Sequence, residues 1–472
     1  MQTTKQIIEK SGIAFGTSGA RGLVVDFTAE VCAAFAIAFV ESIKPHFQFD
    51  TIALAIDNRP SSYSMAQAIA AALAGIDIQS EYHGVLPTPA LAYYAMQQKL
   101  PCIMVTGSHI PFDRNGLKFY RPDGEITKDD EKAILNVDVA LPVIGNLSEL
   151  ALLSGAQEAY IERNTNLFDS NILLGKRIGI YEHSSAGRGI YRQIFEALGA
   201  EVTSLGRSDE FVPIDTEAVS KEDKERARRW VAEHQLDALF STDGDGDRPL
   251  LSDEKGEWLR GDILGLLCAK LLGVEALAIP VNCNTMIKKV EQFKVVSLTK
   301  IGSPYVIAEC TRLLGSFTKV AGFEANGGFI LFSDIEFGSK TVKRLPTRDA
   351  LLPILIVLGC TVSIYSAVGI LPSVFTESDR MQNVNREICT KILDSILNNP
   401  SCFFEALPNL GLFLELDITD GLRFIFENSI VHVRLSGNAP EMRCYVESYS
   451  LVNSRKLIKH VFNYFISKGC LS

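Results

Sequence analysis

The chain has 472 residues, 47% of them hydrophobic and 22% charged, enough to build several buried cores of ordinary size. Its net charge of −10 leaves no source for counterion release or polybasic attraction, which argues against a broad nucleic-acid or anionic-membrane surface. The ten cysteines form no C-x-x-C pair and the start, MQTTKQIIEKSG, has no apolar signal core, so the expectation is reduced thiols in a cytoplasmic protein.

The first clear unit begins at Thr51, where TIALAIDNRPSSYSMAQAIAAALAGIDI runs from apolar strand through polar turn and amphipathic helix to a second strand. The same rhythm returns in RIGIYEHSSAGRGIYRQIFEALGAEV from Arg177 and ALAIPVNCNTMIKKVEQFKVVSL from Ala276. Three β-α-β units predict parallel or mixed sheets covered by helices, with ligands bound where strands end.

Between the first two units lies CIMVTGSHIPFDRNGLKFY, an apolar strand followed by a loop with Ser108, His109, Asn115, Gly116 and Lys118. A serine hydroxyl is a weak nucleophile, but it can carry a phosphoryl group when a metal neutralises charge and neighbours manage protons. A Ser-His pair in a loop carries little meaning by itself, and His109 could simply order the turn.

The stretch FSTDGDGDRPL, Phe240 to Leu250, places Asp243, Asp245 and Asp247 at the end of another apolar strand. Gly244 and Gly246 let the chain curl so that the three carboxylates converge. Such a cluster repels itself unless a cation neutralises it, and oxygen ligands point to a hard divalent ion, Mg2+ first. An EF-hand fits less well, because Arg248 stands where that loop needs glycine and Pro249 follows it; a solvated acidic turn is the plainer alternative.

Further on, AGFEANGGF offers Glu324 and Asn326, a carboxylate and an amide able to grip vicinal sugar hydroxyls, although taken alone the signal is poor and a plain turn is the better reading. Ala350 to Leu371 is uncharged and long enough to span a bilayer, but Pro353, Gly359, Gly369 and several hydroxyls interrupt it, and a buried helix has the same appearance. From about Val374 the pattern changes to short alternating runs around the turn Thr419, Asp420, Gly421, a hairpin-rich α+β module. Its loop RLSGNAPEMR combines Arg434, Ser436, Gly437, Asn438 and Arg443, donors suited to a phosphate dianion, or to a hairpin turn with solvated arginines.

In this order, FGTSGARG (with Gly16, Arg21 and Gly22), TGSHIP, DGDGDR, EANGG and RLSGNAPEMR resemble the α-D-phosphohexomutase family over nearly the whole chain. The resemblance implies an α/β protein of four domains around a central cleft, three related mixed-sheet domains and a C-terminal α+β domain. The expected limits are 1–150, 151–257, 258–372 and 373–472. It further implies a mutase that interconverts hexose 1-phosphate and hexose 6-phosphate, bacterial phosphomannomutases being nearest in appearance. Ser108 would be the phosphoserine, and hexose 1,6-bisphosphate the bound intermediate and activator. Asp243, Asp245 and Asp247 would hold Mg2+ with a Ser108 phosphoryl oxygen. Arg21, Arg248 and Lys118 would stabilise the transferring group, with Lys118 and His109 candidates for acid/base work. Glu324 and Asn326 would grip the sugar, and Arg434, Ser436, Gly437, Asn438 and Arg443 the phosphate not being transferred. The implied partners are small hexose phosphates, with no nucleic acid, membrane or protein partner, and Ala350–Leu371 becomes buried helix and linker.

Several positions depart from the family pattern. Gly107 replaces the commoner alanine, Ile110 a frequent asparagine, and Ser303 with Pro304 stands where relatives place a ligand-contacting lysine or histidine, so Ser303 is carried as a contact. These bear on which hexose is preferred, with glucose or glucosamine phosphate the alternatives to mannose phosphate. Two other classes fit parts of the pattern: a sugar-phosphate sensor without turnover, and a Mg2+ phosphatase, whose usual aspartate nucleophile TGSHIP does not offer.

Overall fold

The computed structural model describes residues 2–17, 19–168, 171–437 and 440–471. Each expected β-α-β segment opens on a buried strand: Thr51–Ile56, Arg177–Tyr181 and Ala276–Pro280. Helices Ser62–Ala74 and Tyr191–Ala197 return the chain to the parallel strands Gln79–Val85 and Glu201–Leu205. The third segment departs from expectation. Its two strands pair in parallel, Ala276 opposite Val295, but a 3-10 helix, Thr285–Lys289, stands where an amphipathic α-helix was expected. Hydrogen bonds from Asn284 to the carbonyl of Val374 (3.1 Å) and Oγ1 of Thr376 (2.8 Å) fix that turn, a tertiary constraint overriding local periodicity.

Four larger sheets result. The first orders its strands Ala14–Phe15, Ala20–Leu23, Arg114–Arg121, Cys102–Val105, Thr51–Ile56, Gln79–Val85, with Gly124–Glu125 on the flank of Arg114–Arg121. The second runs Pro249–Leu251, Ala238–Thr242, Arg177–Tyr181, Glu201–Leu205, and the third Val295–Thr299, Ala276–Pro280, Val320–Phe323, Phe329–Leu331, Leu345–Asp349. Both mix parallel and antiparallel pairs. The last sheet is wholly antiparallel, in the order Phe375–Gln382, Glu441–Ser448, Ser429–Leu435, Leu422–Phe426, Phe413–Asp417.

One apolar cluster is continuous from Ala53 to Leu371 and joins the first three sheets. The helix Leu351–Cys360 sits within it, buried from Leu351 to Leu358, and Ile364–Gly369 follows. Among the described residues no helix is long and apolar enough to cross a membrane. The last sheet has its own core, from Met381 to Cys470. Polar contacts link it to the rest, such as Arg260 Nη1 to Ser378 Oγ at 2.9 Å and Thr285 Oγ1 to Glu447 at 2.6 Å. Ion pairs join it as well, Arg380 to Asp215 at 3.1 Å and Arg443 to Glu217 at 3.1 Å.

The cysteine expectation needs correction. Cys389 and Cys470 form a disulfide, because the N–H of Asn385 donates to the carbonyl of Cys470 (2.8 Å) and brings the two segments together. The remaining eight cysteines are free thiols.

Candidate active site

The buried strand Cys102–Val105 lies parallel to Thr51–Ile56 and delivers Thr106, Gly107 and Ser108 from its carboxyl end. Ser108 adopts φ +54°, a left-handed conformation that costs a non-glycine residue about 1 kcal/mol or more. A hydrogen-bond chain holds it there. The Ser108 N–H donates to Thr106 Oγ1 (2.7 Å), whose hydroxyl donates to Asp57 Oδ2 (2.8 Å), and Gly107 N–H reaches the same oxygen (3.2 Å).

Beneath the loop, the buried Arg59 donates to the carbonyls of Ser108 (3.0 Å), Ile110 (2.5 Å), Pro111 (2.7 Å) and Arg114 (2.9 Å) and to Asp57 (3.2 Å). Its guanidinium also lies 3.9 Å from the centroid of the Phe211 ring. A Cβ on Gly107 would fall 2.3 Å from Cζ of Arg59, a physical reason for glycine at that position. Sequence reading missed Arg59 and Asp57. The only signal was their spacing in IDNRP, at the end of a strand whose neighbour carries the serine.

The acidic loop closes a hairpin in which Thr242 pairs with Pro249. Gly246 has φ +69°, as a curled loop requires. Gly244 serves differently: a Cβ there would lie 2.8 Å from the carbonyl oxygen of Ser108, so glycine lets the acidic loop abut the serine. The Ser108 hydroxyl donates to Asp243 Oδ2 at 2.7 Å.

All three aspartates are buried, with one oxygen of each within 4.8 Å of the others. Lys118 Nζ lies 2.5 Å from both Asp245 Oδ2 and Asp247 Oδ2, and Thr88 Oγ1 donates to Asp245 (2.7 Å). Burial, then the neighbouring carboxylates, push the Asp243 carboxyl well above the usual range. Burial pushes Asp245 the same way, but Lys118, Thr88 and Arg21 outweigh it and hold that group well below the range. Asp245 Oδ1 and Asp247 Oδ1 are buried with no hydrogen-bond partner. An oxygen-only donor set with two orphaned oxygens fits a hard divalent cation.

Arg248 Nη1 donates to His109 Nδ1 at 2.7 Å, and since a guanidinium cannot accept, the imidazole proton lies on Nε2. Burial, then Arg248, lower the His109 pKa well below its ordinary value. Arg21 donates to the carbonyl of Thr106, and burial lowers its pKa to about 10.

The loop Glu324–Gly328 joins the antiparallel strands Val320–Phe323 and Phe329–Leu331. Asn326 Oδ1 accepts from Gly328 N–H (3.0 Å), which leaves its amide nitrogen to donate elsewhere. Arg348, also missed in the sequence, ties this loop to the acidic one: it lies 3.2 Å from Glu324 Oε2 and 2.9 Å from Asp247 Oδ2. Arg434 pairs with Asp420 at 3.1 Å, and Arg443 pairs with Glu217 at 3.1 Å. Asn438 lies outside the described residues.

Ser108, His109, Arg21, Arg248, Glu324, Asn326, Arg434, Ser436 and Arg443 thus line one cavity, of about 60 Å3, together with Glu217 and Arg348. Gly437 is close by, its Cβ direction facing Thr17 Oγ1 at 3.4 Å. Lys118 lies behind the acidic loop rather than on the cavity wall. Ser303 is not on the wall either; its hydroxyl donates to Glu125 (2.8 Å). A larger cavity, about 720 Å3, opens elsewhere among Phe47, Tyr93 and Pro346 and contains none of these groups.

Residues 12–137 match the family described as phosphoglucomutase/phosphomannomutase, alpha/beta/alpha domain I. A phosphomannomutase of Salmonella muenchen is 54% identical over 469 residues, 98% of each chain. A phosphomannomutase of Sinorhizobium fredii is 40% identical over 93% of this chain and 95% of its own. Among solved structures, a phosphoglucomutase/phosphomannomutase family protein from Burkholderia thailandensis superposes with a TM-score of 0.75 at 18% identity, covering 99% of this chain and 98% of that one. N-acetylphosphoglucosamine mutase of Aspergillus fumigatus, in complex with GlcNAc-6P and magnesium, gives 0.59 at 14% identity over 99% of this chain and 100% of that one.

Proposed function

The chain belongs to the phosphohexomutase family, and from that premise we propose how its cleft interconverts hexose 1-phosphate and hexose 6-phosphate. Mannose phosphate is the substrate we infer, because phosphomannomutases at 54% and 40% identity match this chain over nearly their full length. The observation that carries the catalytic reading is the 2.7 Å contact between Ser108 Oγ and Asp243, which unites the serine and acidic loops.

In its phosphorylated form, Ser108 donates its phosphoryl group to the free hydroxyl of the bound hexose phosphate. The Oγ–P bond breaks, an O–P bond to the sugar forms, and the product is hexose 1,6-bisphosphate. After the sugar turns end for end, Oγ takes the phosphoryl group from the other position, and the second hexose monophosphate leaves. A hexose 1,6-bisphosphate would also prime the serine at the start.

The remaining groups position and neutralise, which is most of what phosphoryl transfer requires. Asp243, Asp245 and Asp247 would hold Mg2+ with a phosphoryl oxygen of Ser108, and the bound ion would neutralise charge on the transferring group. Arg21 and Arg248 face the same group from the cavity wall. The sugar hydroxyl must lose its proton as the new bond forms. His109 lies on the cavity wall with its pKa lowered by burial and Arg248, so its neutral imidazole would take that proton at Nδ1 once Arg248 turns to the phosphoryl group, while Lys118, ion-paired with Asp245 and Asp247, would keep the acidic loop in place. Glu324 and Asn326 would hold the sugar hydroxyls, and Arg434, Ser436, Gly437, Asn438 and Arg443 the distal phosphate.

The proposed domains are 1–150, 151–257, 258–372 and 373–472, each containing one of the four larger sheets. A cavity of about 60 Å3 is smaller than the roughly 300 Å3 of an ordinary ligand pocket, so the last domain would open to admit substrate. Small hexose phosphates are the proposed partners. The cytoplasm is the proposed location, since such charged molecules do not cross bilayers unaided.

Phosphorus NMR tests the reaction. Wild type with Mg2+ and a trace of mannose 1,6-bisphosphate should convert mannose 1-phosphate to the 6-phosphate, faster than it converts glucose 1-phosphate, and Ser108→Ala should convert neither. Release of inorganic phosphate instead would identify a phosphatase; binding without conversion would identify a sensor.

A further inference from the structure

Three carboxylates surround the guanidinium of Arg443: Glu217 at 3.1 Å, Glu441 at 3.5 Å and Asp215 at 3.6 Å. Two of them come from another part of the chain, the connection between the strand Glu201–Leu205 and the helix Lys221–His234. That connection is tightly built. Asp215 Oδ1 accepts the N–H groups of Glu217 (3.0 Å) and Ala218 (3.1 Å), and Asp215 Oδ2 pairs with Arg380 (3.1 Å). Thr216 Oγ1 donates to the carbonyl of Asn326 (2.7 Å), and Asn282 Nδ2 donates to Glu217 Oε1 (2.6 Å). Glu217 itself lines the cavity beside Glu324, Asn326 and Arg434.

A cleft that only had to capture phosphate dianions would exclude such groups, because a carboxylate in contact with the receiving arginine repels the incoming charge. Binding that is equally strong in ground and transition states does not speed chemistry, and a bisphosphate gripped too tightly cannot turn. We propose that Glu217, assisted by Asp215, is an internal counter-anion of the phosphate seat, occupying Arg443 when the seat is empty and competing with substrate phosphate so that the bisphosphate can leave and turn. Glu217 is therefore a positioning residue that acts on the ligand through Arg443. The proposal rests on the reading that Arg443 receives the distal phosphate.

Glu217→Gln is the variant of choice. The Oδ1 atom of Asn282 lacks a hydrogen-bond partner, so turning that amide over supplies an acceptor for the new Gln nitrogen. Isothermal titration with inorganic phosphate, and steady-state kinetics with mannose 1-phosphate, would be run on wild type, Glu217→Gln, Asp215→Asn and Arg443→Gln. Glu217→Gln should bind phosphate about three- to tenfold more tightly, with KM and kcat falling together. Asp215→Asn should shift affinity the same way and decides the matter if Glu217→Gln fails to fold. Arg443→Gln should weaken phosphate binding by about tenfold or more. If Arg443→Gln weakens binding while the two carboxylate variants leave it unchanged or weaken it, the counter-anion role is overturned and the seat stands. If Arg443→Gln binds phosphate as wild type does, the seat is misassigned and the proposal falls with it.

Discussion

Ser108 and Asp243, 135 positions apart in the chain, meet through a 2.7 Å hydrogen bond from hydroxyl to carboxylate. Two independent strand ends are brought face to face, and Gly244 permits it by leaving room for the carbonyl of Ser108. A nucleophile held against a carboxylate cluster needs charge neutralisation before it can carry a phosphoryl group.

The acidic loop should therefore be the seat of metal dependence. Asp245→Asn removes one carboxylate charge and is expected to lower turnover by about 100-fold or more. Wild type should show a rise in Tm on adding Mg2+ that EDTA reverses, and Asp245→Asn should lose most of it. Equal metal-induced shifts in both proteins would remove Asp245 from the ligand set.

Arg59 fixes the serine loop through four carbonyls. An ammonium cannot reproduce that fork, so Arg59→Lys should lower kcat by about tenfold or more while KM changes little. Gly107→Ala presses on the same guanidinium and should cost about 1–3 kcal/mol in urea unfolding. A tolerated alanine with full activity would show that the loop is less tightly held than these contacts imply.

The motifs legible in the sequence are those in which short-range spacing and chemistry coincide. Alternating aspartates and glycines after an apolar strand define a convergent cluster by local chain geometry alone, and TGSHIP follows an equally plain strand. Arg59, Arg348 and Glu217 gave no comparable signal, because each is a single charged residue whose meaning comes from partners far along the chain. Arg348 joins Asp247 to Glu324, and Glu217 meets Arg443 across 226 positions. The Cys389–Cys470 bridge was hidden for the same reason, with 81 positions between its halves. The third β-α-β helix was misread because Asn284 answers to the last sheet rather than to local periodicity.

Acid should destabilise the fold through buried neutral histidines. Burial lowers His183 and His432 from 6.5 to about 4, so below about pH 6.5 the unfolded chain binds protons that the native state refuses. Stability is full above that pH and falls as pH drops toward 4, by about 3 kcal/mol for each histidine. Urea unfolding at a series of pH values should show this slope, and His432→Gln, which can still donate to the carbonyl of Asp420, should reduce it. An identical slope in the variant would mean that His432 titrates normally in the native protein.

Movement of the last domain should be visible in solution. If the proposed opening occurs, the last unit moves with its own core intact and breaks its polar contacts to the rest. Small-angle scattering should give a smaller radius of gyration with hexose 1,6-bisphosphate and Mg2+ than without them. No change on saturation would argue for another route into the cavity.

The central claim is that the phosphoryl group in transit resides on Ser108, and peptide mass spectrometry tests it most directly. Protein incubated with 18O-phosphoryl-labelled mannose 1,6-bisphosphate and Mg2+, then quenched and digested, should carry one labelled phosphoryl group on Ser108, and excess unlabelled mannose 1-phosphate should carry that label into mannose 6-phosphate while Ser108 stays phosphorylated. Active protein with Ser108 unmodified throughout, or with the group on another residue, would contradict the account.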